Sequence, residues 1–304
     1  MAETINKRRR KIRLSGGDRA LYIIVTTVLL LITLIVAFPL VYVVSSSFSS
    51  GNAILSGKVW LYPVDPSLEG YAEIFRNRNI FIGYGNSLLY TVSATSLNVF
   101  FTMVAAYPLA RRNLPYKGIV MFLFTFTMFF NGGMIPNYML MKNLNLINNR
   151  WVMILPGLIS TYNLIIARTF IQNSIPYELW EASQVDGASN TRYFFQMVLP
   201  LSKAVIAVLT LYYAIGHWNS YFSAMLYLND RSKLPLQIFL REILVSNQFN
   251  ENTGMDPELL AAKQGMADLL KYCLIIVASV PMLIAYPFVQ RHFTTGVMIG
   301  SVKG

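Results

Sequence analysis

Residues 20–44 form an almost uninterrupted apolar run, ALYIIVTTVLLLITLIVAFPLVYVV. A helix of about 20 apolar residues is long enough to cross a hydrocarbon core of about 30 Å. The run is too long for the apolar region of a secretory signal and shows no A-x-A cleavage site, so we expect it to remain as an anchor. The chain is only 13% charged, whereas a soluble domain carries about 25%. These features predict an integral membrane protein.

Five further apolar segments follow, and together they predict an all-α transmembrane domain at 20–290 behind a basic N-terminus at 1–19. The six predicted spans are 20–44, 88–110, 119–141, 151–170, 201–228 and 272–290. Asn131-Gly132-Gly133 and Pro136 interrupt the third span, and we expect the helix to break there toward its outer end.

Lys and Arg are distributed unevenly between the two sides of this predicted fold. One side holds both termini, the loop between the second and third spans with Arg111, Arg112 and Lys117, and the loop between the fourth and fifth spans. With the adjoining span ends it carries 15 Lys and Arg against 5 Asp and Glu, and the other side carries 10 against 9. Cytoplasmic segments of membrane proteins are enriched in Lys and Arg. Both termini are therefore predicted to be cytoplasmic. The net charge of +11 reflects topology, and no nucleic-acid partner is predicted.

Several kinds of chemistry have no support in the sequence. The chain has two His and one Cys, Cys273, so neither a metal site nor an intramolecular disulfide is expected. The nearest match to a P-loop, GNAILSGKV at 51–59, is one residue too long and has Val59 where Ser or Thr is needed. We predict no catalytic residue and no cofactor bound by this chain, so energy for uphill transport must come from a partner.

The cytoplasmic loop at 174–200 contains signals for a helix, a turn and a second helix. Ser174-Ile175-Pro176 is typical of a helix start, Asp186-Gly187 predicts a turn, and Ser189 is suited to cap the next helix. Small residues around Gly187 give the tip a low profile. The pattern predicts a short helix–turn–helix that inserts into a partner's groove.

At 181–189 the loop reads EASQVDGAS, and MVLP follows at 197–200. This spacing resembles the EAA loop of binding-protein-dependent ABC importer permeases, with Ser183 for the second Ala and Met197 for the usual Ile. The DGA at 186–188 is similar to the sequence found at this position in the sugar-importing branch of the family. The resemblance implies that the loop contains a coupling helix that docks on an ATPase. The residues it assigns to coupling are Glu181, Ala182, Ser183, Asp186, Gly187, Ala188, Leu199 and Pro200.

The C-terminal tail, 291–304, and the break at 131–136 resemble particular subgroups of these permeases. QRHF at 290–293 and GSVKG at 300–304 resemble the tail of maltose-type carbohydrate permeases, which implies that Gly300, Lys303 and Gly304 reach between two ATPase subunits. NGGMIP at 131–136 resembles a motif of the subgroup that imports complex oligosaccharides and uronate-containing saccharides.

This resemblance implies a type I importer permease fold in a bacterial cytoplasmic membrane, surrounded by lipid. The implied partners are a second homologous permease, an extracytoplasmic sugar-binding protein and two cytoplasmic ATPases that hold ATP and Mg²⁺. The outer loop at 229–270 would contact the binding protein.

Polar and aromatic residues near the outer ends of the predicted spans suggest a substrate pathway. Aromatic faces suit sugar C–H groups, and amides and imidazoles suit hydroxyls, although an interfacial aromatic belt or helix packing also explains these residues. The candidates are Asn131, Tyr162, Asn163, Tyr213, His217, Trp218 and Asn219.

Three alternatives stay open at this stage. A permease for another solute class shares the EAA loop. An ion-coupled carrier or channel needs no ATPase, but such carriers usually keep intramembrane carboxylates, and none of the predicted spans holds Asp or Glu. A scaffold or sensor would use the loop only to recruit a partner.

Overall fold

The computed structural model describes residues 15–248 and 257–296. All regular elements in these two ranges are helical. The α-helices are α1 Gly16–Ser47, α2 Gly51–Leu55, α3 Glu69–Arg76, α4 Arg78–Ala110, α5 Lys117–Phe129, α6 Met134–Asn143, α7 Thr161–Ser174, α8 Tyr177–Val185, α9 Asn190–Tyr193, α10 Leu199–Leu201, α11 Lys203–Trp218, α12 Tyr221–Tyr227, α13 Leu236–Gln248 and α14 Pro257–Gly296. The other helical turns are Arg150–Met153, Phe194–Val198 and Arg231–Lys233.

Three helices in the described ranges are each long and apolar enough to cross a membrane: α1, α4 and the part of α14 at Lys263–Pro287. They confirm the first, second and sixth predicted spans as continuous helices. In α1 only Ser45, Ser46 and Ser47 are buried, and most of the apolar side chains before them are exposed, as expected for a helix that faces lipid.

Two helix pairs count as further spans only if a sharp bend is allowed within each. α5 and α6 meet at 112° across Asn131-Gly132-Gly133, as predicted. Gly133 has φ +86°, and its N–H donates to Asn131 Oδ1 at 2.8 Å. The stretch Asn190–Leu201 meets α11 at 79°. With both pairs the described chain has up to five candidate spans, so the predicted count of six is not confirmed.

The fourth and fifth predicted spans need correction. The segment at 151–170 is not one helix, because α7 begins only at Thr161, and its 14 residues extend about 21 Å. Pro156 and Gly157, whose φ is +72°, interrupt the apolar run before it. The fifth segment, 201–228, breaks after Trp218, where Ser220 Oγ donates to the His217 carbonyl at 2.6 Å.

The buried side chains form two clusters, and α4 and α11 run through both. The α13 cluster includes Ile80, Tyr90, Trp218, Phe239 and Leu269. The α7 cluster includes Met103, Leu164, Phe194, Leu209 and Tyr213. Since α4 has 33 residues, it extends about 50 Å and links the two clusters as one continuous element.

The segment predicted as an outer loop, 229–270, contains α13 and the start of α14, and its residues 249–256 lie outside the described ranges. Leu236 and Phe239 bury α13 against α4. Before α13, the hydroxyl of Ser232 donates at 2.8 Å and its N–H at 2.9 Å to Asp230 Oδ1, and these bonds lower the pKa of Asp230. The segment is therefore a packed element as well as a connection.

α4 and α13 approach closely at Gly83. A Cβ there would lie 2.8 Å from Leu236 Cα. We expect Gly83→Ala to lower the free energy of unfolding by about 1–3 kcal/mol, the usual cost of overpacking. Thermal unfolding of the detergent-solubilised permease would measure the change.

Gly85→Ala provides the matched control, because a Cβ at Gly85, two residues further along the same helix, meets no atom within 4 Å. This control should leave the unfolding midpoint unchanged or slightly higher, since Ala favours helix over Gly. Equal losses of stability in the two variants would show that the close approach of α13 is not what requires Gly83.

Candidate functional site: a coupling loop and a polar cavity

α8 ends in a tight turn at the predicted Asp186-Gly187 position. Asp186 is the C-cap, and Gly187 has φ +68°, a left-handed conformation that costs other L-residues about 1–2 kcal/mol. The N–H of Gly187 donates to the Gln184 carbonyl at 3.0 Å, and that of Ala188 donates to the Ser183 carbonyl at 2.9 Å. This pair of bonds is the Schellman arrangement and gives the loop a rigid tip.

The second helix of the loop starts where the sequence predicts. Ser189 caps α9 and accepts from the Arg192 N–H at 3.2 Å. A π-helical turn, Phe194–Val198, then leads to Leu199 and Pro200 before the bend into α11. Leu199 is half-buried against the α7 cluster, and Pro200 is exposed. The predicted helix–turn–helix is confirmed as local structure.

The residues predicted to contact an ATPase face in different directions. Glu181, Ala182, Asp186 and Gly187 are exposed. Ser183 is buried, and its hydroxyl donates to the Trp180 carbonyl at 2.7 Å, so it faces the protein. Sequence reasoning missed Val185, whose side chain is 89% exposed at the tip. The signal for it is an apolar residue placed directly before an Asp-Gly turn.

Arg111, just after α4, holds the loop against the membrane helices. Its guanidinium lies over the Trp180 ring at 4.3 Å, and its Nη1 donates to the Tyr107 hydroxyl at 3.0 Å and to Asn190 Oδ1. Arg112 lies over the Tyr177 ring at 4.7 Å. These two arginine–aromatic pairs connect the end of α4 to the loop. We call them the arginine clamp, which consists of Arg111, Arg112, Tyr177 and Trp180. Sequence reasoning used both arginines only as topology signals.

A second contact joins the end of α4 to α7. Arg168 Nε donates to the Leu109 carbonyl at 3.0 Å, and Gln172 Nε2 donates to the Ala110 carbonyl at 3.3 Å. Carbonyls at a helix C-terminus have no partner within the helix, so these bonds both satisfy them and fix α7 to α4. Together with the arginine clamp they connect α4, α7, α8 and α9 through direct side-chain contacts.

A cavity of about 580 Å³ lies where the two clusters adjoin. Three of the predicted pathway residues, Asn163, Tyr213 and His217, line it. The other four predicted residues are not in its wall. Its lining residues are Asn98, Asn137, Met141, Val152, Met153, Pro156, Gly157, Ser160, Asn163, Tyr212, Tyr213, Gly216, His217, Ser220, Ser223 and Tyr227.

Two of the predicted aromatic candidates make structural contacts. The Tyr213 hydroxyl shares a hydrogen bond with Thr102 Oγ1 at 2.7 Å and accepts from the Ser160 N–H at 3.0 Å, so it braces α11 against α4 and α7. Trp218 is 2% exposed, and its Nε1 donates to the Ala278 carbonyl at 2.9 Å. Trp218 therefore joins α11 to α14.

The remaining candidates lie at helix ends or on the surface. Asn131 holds the turn before α6, Asn219 is exposed at the end of α11, and Tyr162 is exposed with its ring 6.3 Å from that of Tyr212. The predicted tail contacts Gly300, Lys303 and Gly304 lie outside the described residues.

Asn98 is the cavity residue that sequence reasoning missed. It is 1% exposed, and its Nδ2 donates to the Gly157 carbonyl at 3.0 Å. Its Oδ1 has no hydrogen-bond partner among the described residues. An amide in the middle of an apolar helix is the signal that marks it.

Comparison with known proteins assigns the chain to a family. Residues 13–298 match the family described as "Binding-protein-dependent transport system inner membrane component". The chain belongs to this family. It is a multi-pass membrane permease and a transport subunit, not an enzyme.

Two relatives of the permease cover nearly the whole chain. The polygalacturonan/rhamnogalacturonan transport system permease protein YtcP of Bacillus subtilis is 39% identical over 279 residues, which are 91% of this chain and 96% of the relative. The diacetylchitobiose uptake system permease protein NgcG of Streptomyces coelicolor is 28% identical over 300 residues, 95% of this chain and 91% of the relative.

A solved structure shares the fold of the permease. It is a bacterial ABC transporter involved in the import of the acidic polysaccharide alginate, with a TM-score of 0.80 and 30% identity. The match covers 92% of this chain and 99% of the solved chain. The predicted type I importer permease fold is thereby confirmed.

Proposed function

We propose that this permease is the membrane subunit of an ATP-driven importer for oligosaccharides or polysaccharide fragments. The observation that carries the proposal is the exposed, Schellman-capped tip of α8, which the arginine clamp fixes to the membrane helix α4. Such a rigid protrusion is suited to receive motion from another protein. Family membership supports the same role.

In this proposal the ATPases drive a change of access at the cavity. ATP and Mg²⁺ bind to two partner subunits, and Glu181, Val185 and Asp186 at the tip contact them. ATPase closure moves α8, the arginine clamp carries the motion to α4, and the membrane helices rotate as rigid bodies between two states.

The arrangement in the membrane is also proposed. The excess of Lys and Arg supports a cytoplasmic position for both termini and the coupling loop. A second homologous permease packs beside this chain, and lipid covers the outer face of α1. α5, in which no residue is buried, offers a large apolar face for this assembly. A sugar-binding protein approaches from the opposite side, near 229–270.

We propose acidic saccharides as the substrate class. The name of one relative includes polygalacturonan, and the similar solved structure belongs to an importer of an acidic polysaccharide. The NGGMIP motif at 131–136 points to the same subgroup. The name of a more distant relative includes diacetylchitobiose, which is uncharged, so diacetylchitobiose and the equally uncharged maltodextrins are the comparison ligands.

The test is reconstitution of the natively purified complex into proteoliposomes. We expect an ATPase and a second permease to co-purify, and oligogalacturonides with the binding protein to stimulate ATP hydrolysis about tenfold more than maltodextrins of equal length. Uptake driven by an ion gradient without ATPase would replace the proposal with a carrier. A bound ATPase that no saccharide stimulates, together with no uptake, would indicate a scaffold.

A further inference from the structure

Charge is unevenly distributed over the side of the permease opposite the two termini, which is the proposed outer side. This side carries 10 Lys and Arg against 9 Asp and Glu. Its segments 138–150 and 219–242 hold five of these cations and two of these acids, so their net charge is +3, and the other segments of the same side carry −2. The five cations are Lys142, Arg150, Arg231, Lys233 and Arg241. We call them the cationic rim.

Two members of the cationic rim are close in the chain to residues of the cavity wall. Lys142 directly follows Met141, and Arg150 precedes Val152 by two positions. Met141 and Val152 both line the cavity, whereas Lys142 and Arg150 are exposed. These two cations therefore lie where the wall of the cavity reaches the surface.

Two further members are joined to the same wall through α12. Lys233 Nζ donates to the Asn148 carbonyl at 2.8 Å, and the N–H of Asn148 donates to the carbonyl of Tyr227 at 2.8 Å. Tyr227 ends α12 and lines the cavity. The guanidinium of Arg241 lies over the ring of Tyr221, the first residue of α12, at 5.3 Å. The cationic rim thus collects around one opening.

The acids of these segments neutralise only part of the rim. Asp230 pairs with Lys233 at 3.3 Å, and Glu242 pairs with Arg231 at 2.7 Å. Each carboxylate therefore already has a cation. The rim cations that have no carboxylate partner in the described ranges are Lys142, Arg150 and Arg241.

The position of these charges indicates the chemistry of the ligand. The residues that line the cavity include no Asp, Glu, Lys or Arg, so positive charge is concentrated at its edge. Charge of one sign around a cleft with low-dielectric walls raises the local concentration of the opposite charge and speeds its association. A polyuronate carries a carboxylate on every sugar unit and gains from this field, whereas an uncharged saccharide gains nothing.

We propose that the cationic rim binds the carboxylates of an acidic saccharide at the outer opening, where the chain passes from the binding protein into the permease. Lys142, Arg150 and Arg241 supply the uncompensated charge. The inference rests on the proposed importer function and deepens it, because it assigns recognition of the substrate's charge to named residues of this subunit. An acidic face of the binding protein is the competing occupant.

The test uses three double variants of the full complex in proteoliposomes. Lys142→Gln with Arg241→Gln removes two charges from the rim, and Lys142→Arg with Arg241→Lys keeps them. The matched control, Lys58→Gln with Arg76→Gln, removes two exposed charges from the same side outside the rim.

Arg150 stays unmodified in the test because it also has structural contacts. Its Nη2 donates to Oδ1 of the buried Asn86 at 3.3 Å and to the Ser232 carbonyl at 3.4 Å. Its replacement would disturb packing between α4 and the segment before α13. Lys142 has no side-chain partner in the described part of the chain, so its replacement removes charge alone.

We expect the rim variant to raise the KM for oligogalacturonide uptake about three- to tenfold at low ionic strength, with complex yield unchanged. The difference should nearly vanish in about 1 M salt, where the Debye length falls to about 3 Å. The charge-conserving variant and the control should keep the original KM. Uptake of the methyl esters of the same oligogalacturonides, which have no charge, should not change.

A titration of labelled, saccharide-free binding protein against each complex separates the two occupants. The rim variant should bind it as tightly as the unmodified complex does. Weaker binding by the same factor as the rise in KM would assign the rim to the binding protein and overturn the inference, whether or not the esters are transported. An unchanged KM, or an equal rise in the control, would also overturn it.

Failure of the rim is distinct from failure of the proposed function. An unmodified complex that takes up maltodextrins but not oligogalacturonides is an importer without a use for the rim, and the inference fails alone. An unmodified complex that neither hydrolyses ATP in response to any saccharide nor takes one up refutes the proposed function, and the inference fails with it.

Discussion

Gly187→Pro is expected to reduce saccharide-stimulated ATP hydrolysis by at least tenfold while the protein still inserts into the membrane. Pro fixes φ near −65°, whereas Gly187 has φ +68°. The substitution also removes the N–H that donates to the Gln184 carbonyl. It further disfavours the helical conformation of Asp186, which has φ −75° and ψ 3°. The tip of α8 would lose its shape and its docking contact.

Gly187→Asn is the control for this prediction. Asn tolerates the left-handed conformation better than other non-glycine residues and keeps the backbone N–H. Its stimulated ATPase rate should stay within about threefold of the unmodified complex. ATPase assays in proteoliposomes, normalised to the amount of assembled complex, measure both variants. Normal stimulation in Gly187→Pro would refute the coupling role of the tip.

Arg111→Gln is expected to lower the amount of saccharide transported per ATP hydrolysed by about fivefold. The change removes the contact of the guanidinium with the Trp180 ring and disrupts its hydrogen bonds to Tyr107 and Asn190. A partly buried cation–π contact contributes about 0.5–2 kcal/mol. With the arginine clamp weakened, motion of α8 is only partly transmitted to α4, and ATP is consumed without transport.

A double-mutant cycle separates the arginine clamp from a general loss of stability. Trp180→Ala should lower the same ratio, and the double variant should lose less than the product of the two single losses, because both remove the same contact. Trp180→Phe should retain coupling, since the indole Nε1 has no hydrogen-bond partner in the described ranges. Independent, multiplicative losses in the double variant would contradict a shared contact. Simultaneous assays of ATP hydrolysis and uptake provide the ratio.

The features predicted correctly from the sequence depend on local backbone preferences. The break after Asn131 follows from Gly132 and Gly133, and the turn after α8 follows from Asp186-Gly187. Continuous apolar runs predicted α1 and the apolar parts of α4 and α14. In each case the residues that determine the structure are adjacent in the chain, so the local sequence is sufficient to predict the helix, break or turn.

The features that the sequence did not reveal depend on contacts between distant residues. Hydropathy counts the apolar residues around Pro156 as part of a span, whereas Pro156 and Gly157 form irregular backbone that lines the cavity, a position in which such backbone is tolerated in membranes. Trp218 is a residue type that often binds sugars, but its indole N–H donates a hydrogen bond to the carbonyl of Ala278, 60 positions away.

The two regions proposed for function differ in the same way. The loop at 174–200 follows a short-range pattern, and its local structure was predicted. The cavity is formed by α4, α7 and α11, so Asn98 and the brace made by Tyr213 become visible only when the helices are placed together.

The uninterrupted course of α4 has an energetic consequence. Asn98 lies 12 residues before the end of α4 at Ala110, a distance of about 18 Å, and Arg111 follows directly. If saccharide and ATPase both act on this one helix, their binding is thermodynamically reciprocal. If ATPase closure changes the affinity for saccharide by a given factor, bound saccharide changes the equilibrium constant of closure by the same factor. The affinity for saccharide in the open and closed ATPase states, and the equilibrium of closure with and without saccharide, then report the same coupling free energy.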